Sequence, residues 1–178
     1  MKPSLKERIA AVRLLILDVD GVLTDGSIIY TDAGEELKRF HVRDGSGLKL
    51  WQSTGRLAAI VSGRSSPAVN RRAGELGITG VLQGQSDKLA ALRQILAETE
   101  LSAEQCCAVG DDLQDIGLLQ AVGVGIAVAD ACEELRAIAD YTTTTPGGRG
   151  AVRESIEWLL KANDEWAKLA NAARQPPG

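Results

Sequence analysis

The chain has 178 residues, which at roughly 100–200 residues per domain is a single domain spanning 1–178. Hydrophobic residues make up 44% and charged residues 25%, which excludes disordered and collagen-like classes. A net charge of −4 does not suit a dedicated nucleic-acid binder, and no apolar stretch is long enough for a membrane span. Neither nucleic acid nor membrane is therefore expected as a partner. The start, MKPSLKERIAAVR, lacks an apolar core followed by a small-residue cleavage site, so no signal peptide is expected and the protein reads as soluble and cytoplasmic. Cys106, Cys107 and Cys132 have no metal-binding spacing, and the first two sit in an apolar run as buried free thiols.

In chain order, residues 14–20 (LLILDVD) form a short apolar run ending in acids, the pattern of a strand buried on both faces. Residues 27–40 hold two extended runs around Asp32-Ala33-Gly34 and predict a β-hairpin. A helix over 48–53 stops at Gly55, and 57–63 (LAAIVSG) is the next apolar strand. Ser66-Pro67 starts a helix, with Ser as N-cap and Pro at the first helical position, and Gly77 closes it. A short strand at 81–82 precedes a helix over 87–100 with Leu89, Leu92, Ile95 and Leu96 on one face. Ser102 and Gln105 form a possible capping box. Residues 106–110 are apolar and again end in acids. Helices over 113–122 and 132–139 flank a strand at 124–128, and 142–145 reads as strand and loop. A final amphipathic helix runs from 150 to about 172, followed by a frayed tail to 178. Five apolar strands separated by helices specify an α/β fold with a doubly wound parallel sheet.

The functional crevice of such a sheet lies outside the carboxyl ends of its strands. Those ends carry Asp18 and Asp20, then Ser62, then Asp111 and Asp112, with Lys88 at the start of the next helix. Neighbouring carboxylates repel unless a cation lies between them, and an all-oxygen set suits Mg²⁺. Ser62 and Lys88 would supply a hydroxyl and a fixed positive charge to phosphate oxygens. In Asp18-x-Asp20 the first carboxylate can attack phosphorus and form an aspartyl-phosphate. The second can protonate the leaving alkoxide and later deprotonate water.

Asp18-Val19-Asp20-Gly21-Val22-Leu23-Thr24-Asp25-Gly26, Ser62-Gly63-Arg64, Lys88 and Gly110-Asp111-Asp112-x-x-Asp115 together resemble the four ordered motifs of the haloacid dehalogenase superfamily of phosphatases. Phe40-x-x-Arg43-Asp44-Gly45, Gly77-Ile78, Gln83-Gly84-Gln85-Ser86-x-Lys88 and Val128-Ala129-Asp130-Ala131 resemble one family within it, the 3-deoxy-D-manno-octulosonate 8-phosphate phosphatases, and so does the stretch 147–154 (GGRGAVRE). The similarity covers about residues 12–160. His41 stands where Asn is usual, and Lys49 where Arg is usual.

The resemblance implies a Mg²⁺-dependent phosphomonoesterase acting on this sugar acid phosphate, in lipopolysaccharide precursor synthesis. It makes Asp18 nucleophile and metal ligand, and Asp20 general acid/base with its main-chain carbonyl on the metal. Asp111 becomes the third ligand, and Asp112 orients metal-bound water from behind. Ser62 and Lys88 complete the catalytic set. Substrate contacts would come from Asp20, Lys88, the loop His41, Val42, Arg43, Asp44 and Gly45, and from Lys49, Arg64 and Arg72. Asp115 reads either as part of the motif or as an early acid at a helix N-terminus; Arg71 reads as a solvated helix residue.

Other readings stay open. A phosphatase for a nine-carbon ulosonic acid 9-phosphate would share these motifs, and a non-catalytic assembly module could share the fold. A signalling receiver domain also forms an aspartyl-phosphate but lacks an acid two residues after it. The intervals from Asp18 to Ser62 and from Ser62 to Lys88 leave no room for a cap domain. Water exclusion would then come from a neighbouring subunit. The exposed apolar hairpin and the resembling family both imply a homotetramer.

Overall fold

The chain's computed structural model describes residues 3–172. Six parallel strands form one sheet in the order β5-β4-β1-β6-β7-β8: Gly80–Leu82, Leu57–Val61, Leu14–Leu17, Cys106–Gly110, Val124–Ala127 and Tyr141–Thr142. The hairpin strands β2 (Ile29–Tyr30) and β3 (Glu36–Leu37) pair antiparallel in a sheet of their own. The helices are α1 (Leu5–Ala11), α2 (Val42–Ser53), α3 (Pro67–Leu76), α4 (Lys88–Thr99), α5 (Ile116–Ala121), α6 (Glu133–Ile138), α7 (Ala151–Ala162) and α8 (Trp166–Ala172). Helix α7 packs on α1 and α2, while α5 packs on α4 and α6, so two helical groups flank the sheet.

Strands β1 and β6 are buried at every position, which is why both read as unbroken apolar runs. The chain leaves β1 toward β4 and β5 on one side, then returns to β6, β7 and β8 on the other. The reversal falls between β1 and β6, and a ligand crevice opens at such a switch point. This is the expected doubly wound α/β sheet with a hairpin insertion, and no cap domain stands among the described residues.

Several elements differ from the sequence expectations. Helix α2 starts at Val42, well before residue 48. Gly45 and Gly47 weaken the helical signal there, yet Gly47 lets Arg153 of α7 come close to the α2 backbone. The expected helix over 113–122 begins as a 3₁₀ turn (Leu113–Asp115) before α5. Ser66 occupies the N-cap of α3 without a side-chain bond, and its amide donates to Gln83 Oε1 at 2.8 Å instead. Leu89 is exposed, its face of α4 being buried at Ala91, Leu92 and Ile95. The long C-terminal helix is broken at Asp164, whose φ of 57° is left-handed and cannot continue a helix. The bend seats Glu165 on Arg56 in a two-pronged pair at 2.6 and 2.7 Å. The capping box Ser4/Glu7 opens α1, a helix not among the sequence expectations. The tail expected after residue 172 lies outside the described residues. No helix among those described is long and apolar enough to cross a membrane.

Candidate active site

Strand β1 delivers Asp18 to the switch point, and the Asp18 amide donates to Val109 O at 3.2 Å, extending the β1–β6 ladder by one residue. The carboxylate is buried. Its Oδ1 accepts the Val19 amide at 2.7 Å, and its Oδ2 lies 2.9 Å from Lys88 Nζ. Lys88, in the first turn of α4, also donates to Asp115 Oδ1 at 2.5 Å. Burial alone would depress the Lys88 ammonium, but Asp18 and Asp115 outweigh it and the pKa is raised.

Asp115 settles its two readings by geometry. It is fully buried, one oxygen holds Lys88, and the other accepts the amides of Asp111 and Asp112 at 3.0 and 3.3 Å. It anchors both the lysine and the loop after β6. Asp112 faces outward and caps the 3₁₀ turn through the Leu113 amide at 2.8 Å. Gly21 has a φ of 87°, and a β-carbon there would run into the Asp111 carboxylate, so the first loop closes on the second only because it carries glycine.

Asp18, Asp111 and Asp115 each offer a carboxylate oxygen within 4.8 Å of the others. Asp111 Oδ1 is buried without a hydrogen bond, and Asp18 Oδ2 has only its ion pair with Lys88. Burial first, then repulsion from Asp18 and Asp115, pushes Asp111 up to about 7. Burial, opposed by Lys88 and reinforced by Asp115, pushes Asp18 up to about 6. Crowded, under-partnered oxygen ligands fit a hard dication such as Mg²⁺. The Asp20 carboxylate turns the other way, toward Lys38 and Arg64, with Arg64 Nε at 3.6 Å.

Ser62 follows β4, buried, and its Oγ accepts the Arg64 amide at 3.4 Å. Asp18, Asp20, Ser62, Arg64, Gln85 and Gln114 line a hollow of about 490 Å³. Of the expected substrate contacts, the chain brings Asp20 and Arg64 to the lining of that hollow, with Lys88 behind Asp18. Arg43 lines a separate one of about 570 Å³ beside Tyr141 and Arg149. Val42, Gly45, Lys49 and Arg72 line a third of about 240 Å³. His41 caps α2 by position, with no side-chain bond and a buried Nδ1 that lacks a partner. Asp44 is 1% exposed and accepts the Arg153 amide at 2.8 Å, so it faces the start of α7 instead of the hollow. Burial raises its pKa despite that bond. Arg71 is solvated, as expected. Cys106 and Cys107 are buried free thiols, both pushed up by burial, Cys106 to about 11.

Sequence reasoning missed Lys38 and Glu36, which pair with Asp20 and Arg64 from β3 and its continuation. Their spacing of two was the available signal, since alternate strand residues share a face. The stretch 147–154, which carried the resemblance, supplies a loop after β8 that braces the loop after β1. The Gly147 amide donates to Asp130 Oδ1 and the Gly148 amide to Val22 O, both at 2.9 Å, and a β-carbon on Gly147 would collide with the Gly21 carbonyl oxygen.

Residues 77–154 match the family described as haloacid dehalogenase-like hydrolase. The chain is 46% identical over 159 residues to the 3-deoxy-D-manno-octulosonate 8-phosphate phosphatase KdsC of Yersinia pestis, covering 89% of this chain and 85% of that one. The crystal structure of the corresponding phosphatase from Moraxella catarrhalis, in complex with magnesium ion, phosphate ion and KDO, superposes with a TM-score of 0.93. It is 42% identical and covers 96% of this chain and 98% of its own. The cobalt-bound form of the Haemophilus influenzae deoxy-D-mannose-octulosonate 8-phosphate phosphatase gives a TM-score of 0.89 at 37% identity, covering 93% and 97%. With the switch-point acids, the lysine of α4 and the cap-less core all in place, this chain belongs to the 3-deoxy-D-manno-octulosonate 8-phosphate phosphatase family of the haloacid dehalogenase superfamily.

Proposed function

We propose that the protein is a phosphoric monoester hydrolase that converts 3-deoxy-D-manno-octulosonate 8-phosphate and water to 3-deoxy-D-manno-octulosonate and phosphate. The observation that carries this reading is the buried Asp18 carboxylate, 2.9 Å from Lys88 Nζ, in one hollow with Asp20 and Ser62. An Asp18 oxygen attacks phosphorus and the sugar's 8-oxygen leaves, taking a proton from Asp20. Asp20 then removes a proton from water as it attacks the aspartyl-phosphate, releasing phosphate and restoring Asp18. Lys88 and the Ser62 hydroxyl hold the phosphate's other oxygens. Asp18, Asp111 and the Asp20 carbonyl would hold Mg²⁺, which when bound would supply positive charge against the charge building on the transferring group. The Asp112 carboxylate, turned outward onto the Leu113 amide, is instead placed to hold the turn after Asp111.

Arg64 reads the sugar acid carboxylate in this scheme, joined by the cations Lys49, Arg72 and Arg43, with His41, Val42 and Gly45 as further contacts and Asp44 bracing their loop against α7. All of these but Arg64 lie off the Asp18 hollow within one chain, and Ile28, Ile29, Tyr30 and Leu37 are exposed along the hairpin. Both observations support a homotetramer in which a neighbouring copy completes the site. The product would enter lipopolysaccharide precursor synthesis in the cytoplasm. Phosphate release from a panel of sugar phosphates, with Mg²⁺ and with EDTA, tests the scheme. The eight-carbon sugar acid phosphate should give the highest kcat/KM, and EDTA should abolish turnover. A preference for a nine-carbon ulosonic acid phosphate or for a neutral sugar phosphate would overturn the substrate assignment.

A further inference from the structure

The hairpin does more at the site than its exposed apolar side suggests. Glu36 and Lys38, two apart, turn to the face opposite Leu37, which points to solvent. The Lys38 side chain is only 2% exposed, although its ammonium is charged. Such burial is costly without partners, and Lys38 has two: Asp20 Oδ1, and Glu36 Oε1 at 3.4 Å. Glu36 Oε1 also accepts from Arg64 Nη2 at 2.9 Å, and Arg64 Nε lies 3.6 Å from Asp20 Oδ2. Two acids and two bases thus form a closed ring, of which Asp20 and Arg64 line the hollow while Glu36 and Lys38 stand behind them. Asp20 and Arg64 belong to loops after β1 and β4, whereas Glu36 and Lys38 belong to the hairpin. Nothing else in the structure gives the Asp20 carboxylate a side-chain partner among the described residues.

We propose that Lys38 and Glu36 are positioning residues of the phosphatase site, Lys38 holding the Asp20 carboxylate in the rotamer that faces the leaving oxygen and Glu36 holding the Arg64 guanidinium at the substrate's edge. The proposal rests on the functional reading above for the roles of Asp20 and Arg64. It differs from the role of the hairpin's outer face, because it acts within one subunit. A carboxylate misplaced by an ångström transfers protons poorly, so loss of Lys38 is a kcat defect. Loss of Glu36 frees a long cation without removing it, and is a KM defect for substrates bearing a carboxylate.

The test compares Lys38→Met, Lys38→Arg and Glu36→Gln with wild type on 3-deoxy-D-manno-octulosonate 8-phosphate and on p-nitrophenyl phosphate, which has no carboxylate. Asp20 acts as base in aspartyl-phosphate hydrolysis for both substrates. Lys38→Met should therefore lower kcat by roughly tenfold to a hundredfold on both while KM moves less than about threefold, and Lys38→Arg should recover most of it. Glu36→Gln should raise KM for the sugar acid phosphate about fivefold and leave p-nitrophenyl phosphate within about twofold. Light scattering and thermal melting of each variant should match wild type, which separates positioning from assembly or folding. A kcat for Lys38→Met within about twofold of wild type on both substrates overturns the Lys38 role, as does failure of Lys38→Arg to recover activity. Equal KM changes on the two substrates overturn the Glu36 role. A wild-type enzyme that cleaves p-nitrophenyl phosphate and ignores the sugar acid phosphate defeats the substrate reading alone, because the Lys38 comparison is then read on the aryl phosphate.

Discussion

Asp44 in the first turn of α2 accepts the main-chain amide of Arg153 in the first turn of α7, at 2.8 Å across 109 residues of chain. Helix α7 has Gly150 at its own N-cap, with φ 113° and no side chain to cap with, so a residue of another helix does the capping. The carboxylate also faces the helix's positive end.

Removing it should be felt as lost stability. Asp44→Ala is expected to lower the unfolding free energy by about 1–2 kcal/mol, read as a lower urea midpoint at unchanged slope. An unchanged midpoint would assign Asp44 to substrate contact alone.

Asp18→Asn conserves size and keeps a bond acceptor for the Val19 amide while removing the attacking charge. Its melting curve should match wild type, and kcat should fall by at least about a hundredfold. Turnover within about tenfold of wild type would remove Asp18 from the nucleophile's role.

The raised carboxylates give the metal-free protein an unusual pH dependence. Asp18 titrates at about 6 and Asp111 at about 7 in the fold, above the ordinary carboxylate value of 3.8 that they recover on unfolding. Between those limits the native state binds more protons than the unfolded one, so stability in EDTA should fall as pH rises from about 4 to about 7. Mg²⁺ replaces those protons, so its addition should raise Tm more at about pH 8 than at about pH 5. Equal Mg²⁺ stabilisation at both pH values would contradict the assignment of these acids to the ion.

Ile29 is 40% exposed on the hairpin's outer side. Ile29→Asp should convert the proposed tetramer to smaller species by light scattering, with weakened selection of the sugar acid and retained cleavage of p-nitrophenyl phosphate. A wild-type monomer with full specificity would exclude assembly as the source of the missing cations.

The motif-bearing strand ends were readable because β1 and β6 are buried on both faces, which forces an unbroken apolar run and leaves the first acid after it conspicuous. Lys88 was readable for a similar reason, as a lone cation after the N-cap Asp87. The ring at Asp20 was not. Its geometry depends on how the hairpin meets the loops after β1 and β4, which no local periodicity encodes. Asp44 looked like a loop residue because Gly45 and Gly47 disguise the start of α2. The break at Asp164 was hidden as well. The amphipathic pattern continues past it, and the left-handed residue is set by a distant arginine, Arg56.

The contact between Gly147 and the Gly21 carbonyl joins two loops through main-chain atoms alone. Every base change that replaces a glycine codon's amino acid adds a β-carbon, so no coding step away from Gly147 avoids the collision. The position is closed to variation although it handles neither phosphate nor ion. A mutational scan scored by turnover would rank it beside Asp18 and invite a catalytic label. Melting curves would separate the pair, because Asp18→Asn leaves the fold intact while Gly147→Ala pushes the nucleophile's own loop off its support.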